Sequence, residues 1–453
     1  MQTTPEQYEF PGKKYPEHIR SRKDPPCPSA AEVREYLTEY CDEQGISEKF
    51  EFGVTVKNVA RKANGDWTVT TSKGTETFAF VVICTGLFST KPNILNVPGI
   101  DEFKKTGGHV EHTSTWLSPE QFEGKKVLVI GNGKSAADAA ICASKVAKAA
   151  GTTPPIQAIR KQNWYVPRFM LNFKWAFHSR IVAALLPRYF ESQSLAAKIL
   201  HPLAYPIKWI LWRILELIFL VLLGLPVALW PRMGTLDTEG SLSVPLLVTD
   251  ERHLKPIRSG EIDMRVCQVQ KLSPGHAHLS TGDTVPVDMV VMGTGWQLDY
   301  SFLDEKSVLS KLDFVEDGLW LYRNILPPQL EGIAFVGSNV LTFMNIYTDF
   351  VQAFWLAGLL TGHRNYESEK IMNDSIAREK AFKRRLYPCC PLRGATVEAF
   401  MQHYHDLLFA EQGINPHIYG GPFAPLLNMF MPILPETMAV SFEKARLALK
   451  KND

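Results

Sequence analysis

The chain has 453 residues, and its 49 lysines and arginines nearly balance its 47 aspartates and glutamates. This length is enough for two or three domains, and the near-neutral charge predicts no nucleic-acid partner. Seven cysteines without metal-ligand spacing are typical of reduced thiols rather than of a disulfide framework. Together with an opening that lacks an apolar leader, they predict an intracellular protein.

The first part of the chain predicts a helix followed by short strands. Ser29 begins a capping box at the start of a run with apolar residues at helical spacing. Alternating runs on either side of Asn64 and Gly65 predict a β-hairpin. A later apolar strand ends in Thr85 and Gly86, and such small residues suit a backbone that lies close to a cofactor or to another strand.

One stretch predicts a dinucleotide site. Four apolar residues lead into Gly131-x-Gly133-x-x-Ala136, and an alanine-rich helix is predicted to follow through Ala150. Gly131 permits a tight turn, Gly133 lets the backbone approach a pyrophosphate, and Ala136 allows close helix–strand packing. The helix N-terminus offers unpaired N–H groups to the phosphates. We call residues 131–136 the glycine elbow.

The residues that follow the next predicted strand distinguish between coenzymes. This strand, residues 156–159, ends in Arg160 and Lys161. A protein that binds NAD usually carries Asp or Glu there, to accept hydrogen bonds from the ribose 2′-hydroxyl. Because cations suit a 2′-phosphate instead, the pair predicts NADP.

The composition changes over residues 164–230, which are basic and rich in aromatic side chains and end in an uncharged apolar run at 217–230. Extending that run to the length of a bilayer, about 20 residues, brings in Arg213 and Glu216, which are costly at that depth. These two could pair on one helix face, and Pro226 interrupts the helix.

Three interpretations of this hydrophobic insertion stay open. The favoured one is an interfacial or re-entrant helix that is attracted to anionic lipid; the others are a buried lid over the substrate site and a true membrane span. The favoured interpretation predicts a protein associated with the cytoplasmic face of a membrane, with a fully cytoplasmic protein as the alternative. It also predicts an apolar substrate that arrives from the lipid phase.

Two more apolar strands end in glycines. Residues 288–292 lead into Gly293, Thr294 and Gly295, and a third strand leads into Gly337 shortly before a predicted helix. The tail alternates charged helices with loops that contain proline and glycine.

Taken together, these landmarks resemble the flavin-containing monooxygenase family, and the resemblance covers nearly the whole chain. The family's A-T-G-[YW] segment has the form Met292-Gly-Thr-Gly-Trp296 here. The other motifs that carry the resemblance are residues 83–86, Gly108 with His112 and Trp116, the glycine elbow, residues 352–355 and residues 404–416.

The resemblance implies an α/β fold with two Rossmann-like, three-layer dinucleotide-binding domains. A discontinuous FAD domain would comprise residues 1–116 and 289–453, with C-terminal helices in the second part. An NADP domain at 117–288 would be inserted between them and would carry the hydrophobic insertion at about 164–232.

The resemblance also implies the chemistry. NADPH reduces FAD, and one oxygen atom of O2 passes to a soft nucleophile, an amine nitrogen or a sulfide sulfur, in a small apolar substrate. The cofactors carry this reaction, so no catalytic acid–base pair and no metal are expected. The residues implied to contact cofactors are Gly131, Gly133, Lys134, Ser135 and Ala136 at the NADP pyrophosphate, Arg160 and Lys161 at its 2′-phosphate, and Thr85, Gly86, Gly293, Thr294, Gly295 and Gly337 on the flavin side or at the crossovers between domains.

Two departures from the family pattern stand out. Thr106 occupies the position where the family fingerprint has Phe, and Phe103 lies three residues early. The family also opens with its own strand–GxGxxG–helix for FAD, and no such unit precedes Ser29. We therefore expect a truncated FAD domain that lacks a βαβ unit of about 30 residues. A sheet that exposes the resulting edge predicts that the isolated chain folds poorly or aggregates.

Alternative functions stay open as well. A Baeyer–Villiger ketone monooxygenase is one, because Trp116 follows His112 as in that sister family, although Leu117 then departs from its pattern. The other is a non-catalytic, membrane-associated NADP-binding relic, which would be colourless and would consume no O2. Truncation of a longer gene is favoured over the relic, since the rest of the FAD domain keeps its pattern.

Three further side chains have structural interpretations beside functional ones. His112 is either a satisfied histidine in a linker or a residue that takes part in cofactor exchange. Trp296 is predicted to pack in the core or between domains. Cys84 and Cys142 are predicted to be small buried hydrophobes.

Overall fold

The apolar runs of the sequence form short strands, and most of these pair with partners far away in the chain. The computed structural model describes residues 4–23, 27–88, 91–115, 117–162, 164–167, 179–191, 195–234, 247–249, 251–387 and 392–450. Its strands are β1 (Val56–Arg61), β2 (Trp67–Thr71), β3 (Thr75–Phe78), β4 (Val81–Ile83), β5 (His109–His112), β6 (Val127–Ile130), β7 (Ile156–Ile159), β8 (Tyr165–Pro167), β9 (Leu247–Thr249), β10 (Asp263–Val266), β11 (Val269–Ser273), β12 (His276–Leu279), β13 (Thr284–Pro286), β14 (Met289–Met292), β15 (Asp313–Val315), β16 (Gly318–Trp320) and β17 (Ile333–Phe335).

One of two helix caps was predicted, the capping box at Ser29, and the other is set by a glycine. Ser29 accepts a hydrogen bond from the backbone N–H of Glu32 at the start of the second helix, and Gly151 ends the alanine-rich helix in the left-handed conformation. The helices are α1 (Glu17–Arg20), α2 (Ala30–Glu43), α3 (Ile100–Lys105), α4 (Lys134–Ala150), α5 (Arg180–Leu185), α6 (Leu195–Leu223), α7 (Glu251–Arg258), α8 (Asn345–Leu360), α9 (Glu369–Leu386), α10 (Met401–Glu411), α11 (Ala424–Phe430) and α12 (Pro435–Lys450).

A parallel sheet of five strands supports the glycine elbow. Its strand order is β10-β7-β6-β14-β5, and every neighbouring pair is parallel. The carboxyl ends of parallel strands meet at one edge of the sheet. The elbow therefore lies beside the segments that follow β7 and β14.

Side chains alternate between the two faces of this sheet. On β6, Val127 and Val129 point to a core formed with the alanines of α4 and with α7, whereas Leu128 points to a core on the opposite face. That second core contains Phe103 of α3 and Leu272 of the β11–β12–β13 meander. Three layers result, as expected of an α/β fold, and one outer layer contains a β-meander.

The sheet that carries the elbow contains two strands, β5 and β14, that lie outside the predicted NADP domain. The boundaries at 116/117 and 288/289 place β5 and β14 in the FAD domain, yet both belong to the sheet that carries the elbow. Met289 pairs with Val127, and Met292 pairs with His112. The division into domains remains a prediction, but the elbow's own sheet begins before residue 117 and includes β14.

A second parallel pair lies in another part of the molecule. β4 pairs with β17, with Ile83 opposite Phe335, and α8 follows the second of these strands. A hydrophobic core rich in aromatic residues covers this region, with Trp355 of α8 and Tyr404 of α10 almost fully buried. Thr85 and Gly86 follow β4, and Gly337 follows β17, so these predicted residues share one edge.

The hydrophobic insertion contains one long helix, α6, which ends at Leu223 before Pro226. It continues through two internal prolines and leaves many apolar side chains exposed, among them Leu217 at 56% and Val221 at 79%. This exposure argues against the buried lid. Within the described ranges, no helix combines the length and the apolar character needed to cross a bilayer.

Candidate functional site

At Gly131 and Gly293, contacts with neighbouring atoms leave no room for side chains. Gly131 has φ +132°, and a Cβ there would lie 2.3 Å from the carbonyl oxygen of Gly293. A Cβ on Gly293 would in turn lie 2.5 Å from the Cβ of Ala136. These three predicted residues therefore interlock, and they hold the start of α4 against the end of β14.

Gly133 differs from its neighbours because it faces open space. It is the N-cap of α4, and a Cβ added there would meet no atom within 4 Å. No side chain caps the helix, so the first N–H groups, at Lys134, Ser135 and Ala136, have no intrahelical acceptor. An uncapped helix start with an open glycine suits an anion such as a pyrophosphate.

The structure brings the predicted cations beside the elbow. Arg160 and Lys161 follow β7 and are exposed, and the Asn132 side chain of the elbow donates a hydrogen bond to the carbonyl oxygen of Lys161 over 3.1 Å. Neither cation forms an ion pair with the described carboxylates. Lys134, in contrast, pairs with Asp138 at 2.8 Å on the exposed face of α4.

Two polar side chains that the sequence did not predict support the elbow. Gln157 donates to the carbonyl oxygen of Gly131 over 3.0 Å and is fully buried. Tyr165 donates to the side-chain oxygen of Asn132 over 2.7 Å. A polar residue inside an apolar strand was the available signal for Gln157, whereas nothing local marks Tyr165.

The segment after β14 is hydrogen-bonded to the segment that follows β4. Asn93 donates from its backbone to the Gly295 carbonyl over 2.9 Å and from its side chain to the Thr294 carbonyl over 3.3 Å. The Thr294 hydroxyl donates back to the Asn93 carbonyl. Pro92 and Trp296 form an antiparallel bridge. The two connections that leave β4 and β14 therefore run side by side.

His112 ends β5 within this same edge. It is 4% exposed, and its Nδ1 accepts a hydrogen bond from the backbone N–H of Ser114 over 3.0 Å. Burial lowers the pKa of His112, while the Gly295 backbone acts in the opposite direction. The ring of Trp296, which is half-buried, meets the imidazole edge-on at 5.8 Å. His112 is thus a buried residue beside the segment that follows β14.

The family fingerprint, which includes Gly108, His112 and Trp116, begins with a close contact between Gly108 and Phe103. A Cβ on Gly108 would lie 2.3 Å from the ring of Phe103, which is fully buried. Phe103 therefore requires the glycine at 108, while Thr106 hydrogen-bonds back to the carbonyl of Glu102. Trp116, the last residue of the fingerprint, lies outside the described residues.

At the edge formed by β4 and β17, Gly337 is held by a buried glutamine. Its backbone N–H donates to Gln352 over 2.9 Å, and the Gln352 amide donates to the Tyr404 hydroxyl over 2.7 Å. A Cβ on Gly337, where φ is +64°, would lie 3.0 Å from the carboxyl group of Asp349. Burial raises the pKa of Asp349 to about 7.

Polar atoms without partners accumulate just after β17. Within the described structure, five buried side-chain oxygens between residues 338 and 349 have no hydrogen-bond partner. Buried polar atoms are normally paired, so this segment is suited to a polar ligand. The five atoms are Ser338 Oγ, Asn339 Oδ1, Asn345 Oδ1, the Tyr347 hydroxyl and Asp349 Oδ1.

The cysteine predictions need correction. Cys84 is exposed and Cys142 is only partly buried, so neither is the small buried hydrophobe that was expected. Cys84 immediately precedes Thr85 at the carboxyl end of β4, where the strand is short and lies at an edge. Among the described side chains, no group of three potential ligands is placed to hold a metal ion.

Comparison with known families gives two matches, which cover different parts of the chain. Residues 8–160 match the family described as pyridine nucleotide-disulphide oxidoreductase, and residues 236–420 match the family described as flavin-binding monooxygenase-like. A pyridine nucleotide and a flavin are therefore the cofactor classes of the matching families, as the sequence predicted.

Individual proteins are similar at low identity. Dimethylaniline monooxygenase [N-oxide-forming] 4 of Rattus norvegicus is 25% identical over 365 residues, which are 77% of this chain and 59% of the rat protein. Among solved structures, S-allyl-L-cysteine S-oxygenase from Allium sativum aligns over 100% of this chain and 83% of its own, with TM-score 0.59 and 17% identity. NADP+-bound cyclohexanone monooxygenase from Rhodococcus sp. Phi1 aligns over 90% and 87%, with TM-score 0.60 and 15% identity.

Proposed function

We propose that the chain, of which residues 236–420 match the flavin-binding monooxygenase-like family, is an NADPH- and FAD-dependent monooxygenase. The proposed reaction transfers one oxygen atom of O2 to the nitrogen of an amine or the sulfur of a sulfide in an apolar substrate. The observation that carries the proposal is the open, uncapped glycine elbow, which has two cations beside it and sits on a Rossmann-like sheet.

The NADP site would use residues of this sheet. Gly133 and the first N–H groups of α4 would bind the pyrophosphate, and Arg160 with Lys161 would bind the 2′-phosphate by charge-assisted hydrogen bonds. Asn132 would fix the position of the Lys161 backbone relative to the elbow. These roles follow from the motif and from the contacts around it.

The flavin site would use the edge formed by β4 and β17. Thr85, Gly86 and Gly337 would lie against FAD, and the unpaired oxygens of residues 338–349 would supply polar contacts. When bound, FAD supplies the chemistry with O2, and the protein orients it and excludes water. Gly293, Thr294 and Gly295 would act where the chain crosses between the two cofactor regions.

The coenzyme proposal is tested by removing the two cations. We expect the double variant Arg160→Ala/Lys161→Ala to bind NADPH at least tenfold more weakly in calorimetry, while NADH binding changes much less. The matched control is Lys104→Ala/Lys105→Ala, which removes two adjacent exposed lysines at the end of α3. An equal loss for both coenzymes, or an equal loss in the control, would contradict the assignment.

Activity distinguishes the alternative functions. NADPH-dependent O2 uptake with a tertiary amine or a sulfide supports the proposed reaction, and conversion of a cyclic ketone to a lactone supports the Baeyer–Villiger alternative. NADPH binding by colourless protein without O2 uptake supports the non-catalytic alternative. In each case the products and the flavin absorbance are measured on the same preparation.

We also propose that α6 contacts a membrane surface. The support is the row of exposed apolar side chains along this helix, together with basic residues near its start such as Lys198. Such a helix would lie in the interface rather than cross the bilayer. Co-sedimentation of the protein with lipid vesicles measures this contact directly.

A further inference from the structure

A cavity of about 940 Å³ lies between α6, α9 and the segment before α6, and it shares no lining residue with either cofactor region. Basic groups surround it. Among the described residues that line it there are five lysines and arginines and one histidine but no aspartate or glutamate. The basic residues are Arg188, Lys198, His201, Lys208, Arg378 and Arg385.

Most of this positive charge is not neutralised by neighbouring carboxylates. Arg378 pairs with Glu191 at 3.1 Å. Arg188, Lys198 and Arg385 are exposed, and the described carboxylates form no ion pair with any of them. The cavity therefore presents an excess of positive charge to whatever enters it.

Like charges are also crowded at the wall that α6 provides. The Lys208 ammonium donates to the Leu186 carbonyl over 2.9 Å and lies 3.1 Å from Nδ1 of His201. Burial lowers the pKa of both groups, and the charges of Lys208, His403 and Arg188 lower the pKa of His201 further. An anion placed among these basic groups would favour their charged forms.

The rest of the lining is apolar and aromatic. Phe190, Trp212 and Phe382 line the cavity and belong to one hydrophobic cluster. Tyr205 stands at its exposed side, and the neighbouring residues of α6, such as Ile207, are exposed as well. A ligand that fills this space would need an apolar part in addition to its anionic group.

We propose that the cavity binds an amphiphilic phosphate monoester, with its phosphate among the basic groups and its apolar part against the aromatic side chains. A phosphate monoester carries a charge of about −1.5 to −2 near neutral pH and offers three acceptor oxygens, which suits several converging donors. Arginine binds phosphate through paired hydrogen bonds. The site does not depend on the proposed monooxygenase reaction, because none of the residues that line it is a predicted cofactor contact.

The test uses short-chain ligands that stay soluble. We expect dihexanoyl phosphatidic acid to bind the full chain in calorimetry, and dihexanoyl phosphatidylcholine, which has the same chains but no net charge, to bind at least tenfold more weakly. Inorganic phosphate should also bind at least tenfold more weakly, because it lacks the apolar part. Equal binding of either comparison ligand would overturn the proposal.

The variant Arg188→Glu/Arg385→Glu should weaken binding of phosphatidic acid at least tenfold. Both side chains are exposed, and the control Lys57→Glu/Lys271→Glu makes the same change in net charge at exposed positions elsewhere. Thermal unfolding checks that both variants fold. An equal loss in the control would overturn the site, because overall charge would then explain the binding.

Vesicles distinguish the two sources of such a ligand. If phosphatidic acid in phosphatidylcholine vesicles recruits the protein through Arg188 and Arg385, the ligand is a bilayer lipid. If only the soluble lipid depends on these arginines, the ligand is a free phosphorylated amphiphile. Both results support a phosphate site, whereas no dependence on the arginines in either arm overturns it.

Discussion

Gly131, Gly133 and Gly293 are the same residue type in one small region, but they serve different purposes. Gly131 and Gly293 are glycines because backbone and side-chain atoms already occupy the space that a Cβ would need. Gly133 has ordinary φ and open surroundings, so the fold alone does not require it. Its lack of a side chain matters only if a ligand approaches the backbone at this position.

Alanine substitutions separate these two roles. Gly131→Ala should destabilise the chain by about 1–3 kcal/mol, because overpacking against the Gly293 carbonyl adds to backbone strain at positive φ. Gly133→Ala should leave the thermal midpoint nearly unchanged but weaken NADPH binding at least tenfold. Thermal unfolding and calorimetry measure the two effects. If Gly133→Ala binds NADPH as the unaltered chain does, the pyrophosphate does not approach this position.

Titration of Asp349 should lower the free energy of unfolding as the pH rises. Because burial raises its pKa to about 7, the folded chain retains a proton that the unfolded chain loses near pH 4. Stability from this group is therefore fully present below pH 4 and is lost as the pH rises to about 7, at roughly 1.4 kcal/mol per pH unit at most. Above pH 7 the loss is constant.

The variant Asp349→Asn should remove this loss. We expect it to be more stable than the unaltered chain at pH 8 and similar to it at pH 4, as measured by urea unfolding at both values. Asp101→Asn, at an exposed position in α3, serves as the control and should show no such gain at pH 8. A stability difference that does not vary with pH would argue against a buried, protonated Asp349.

At the scale of single elements, α6 departs most from what local rules predict. Proline inside a helix removes a hydrogen bond and crowds the preceding turn, yet α6 continues through Pro202 and Pro206. Arg213 and Glu216 pair at 3.1 Å, as their spacing predicted, and Glu216 also accepts from the Gly234 backbone. A buried, paired carboxylate thus lies within a helix whose exposed side is largely apolar.

The exposed side of α6 makes the membrane proposal testable. Leu217→Glu/Val221→Glu should reduce co-sedimentation with anionic vesicles several-fold, since charged side chains on the apolar side of an interfacial helix oppose insertion. Phe52→Glu/Phe423→Glu changes two other exposed apolar residues, at 86% and 68% exposure, and should sediment as before. Failure of the unaltered chain to sediment would count against the proposal outright.

Elements with strong local signals were predicted closely, and those defined by distant partners were not. The start and end of α4 agree with its alanine run and with Gly151, and the turn at Asn64 and Gly65 joins β1 to β2. The placement of β5 and β14 in the elbow's sheet depends on hydrogen bonds between residues more than 150 positions apart. Local periodicity carries no information about such pairing.

At the scale of the whole molecule, the same distinction applies to the candidate site. The glycines and the two cations were predictable, because the motif fixes their spacing. The side chains that hold them, such as Gln157, Tyr165 and Gln352, come from other elements, and their contacts follow only from the tertiary arrangement. Trp296 shows an intermediate case, since its packing role was expected but its pairing with Pro92 was not.

The link from Gly337 through Gln352 to Tyr404 has a genetic consequence. Tyr404 also donates to the Arg323 carbonyl over 2.7 Å, and Glu411 accepts from Arg323 and from Trp355, both at 2.7 Å. A premature stop codon between positions 353 and 403 would spare every residue that is predicted to contact a cofactor. The shortened product would nevertheless lose the hydrogen bonds of Tyr404 that support Gln352 and the turn at Gly337, so an apparently harmless late nonsense mutation should act as a null allele.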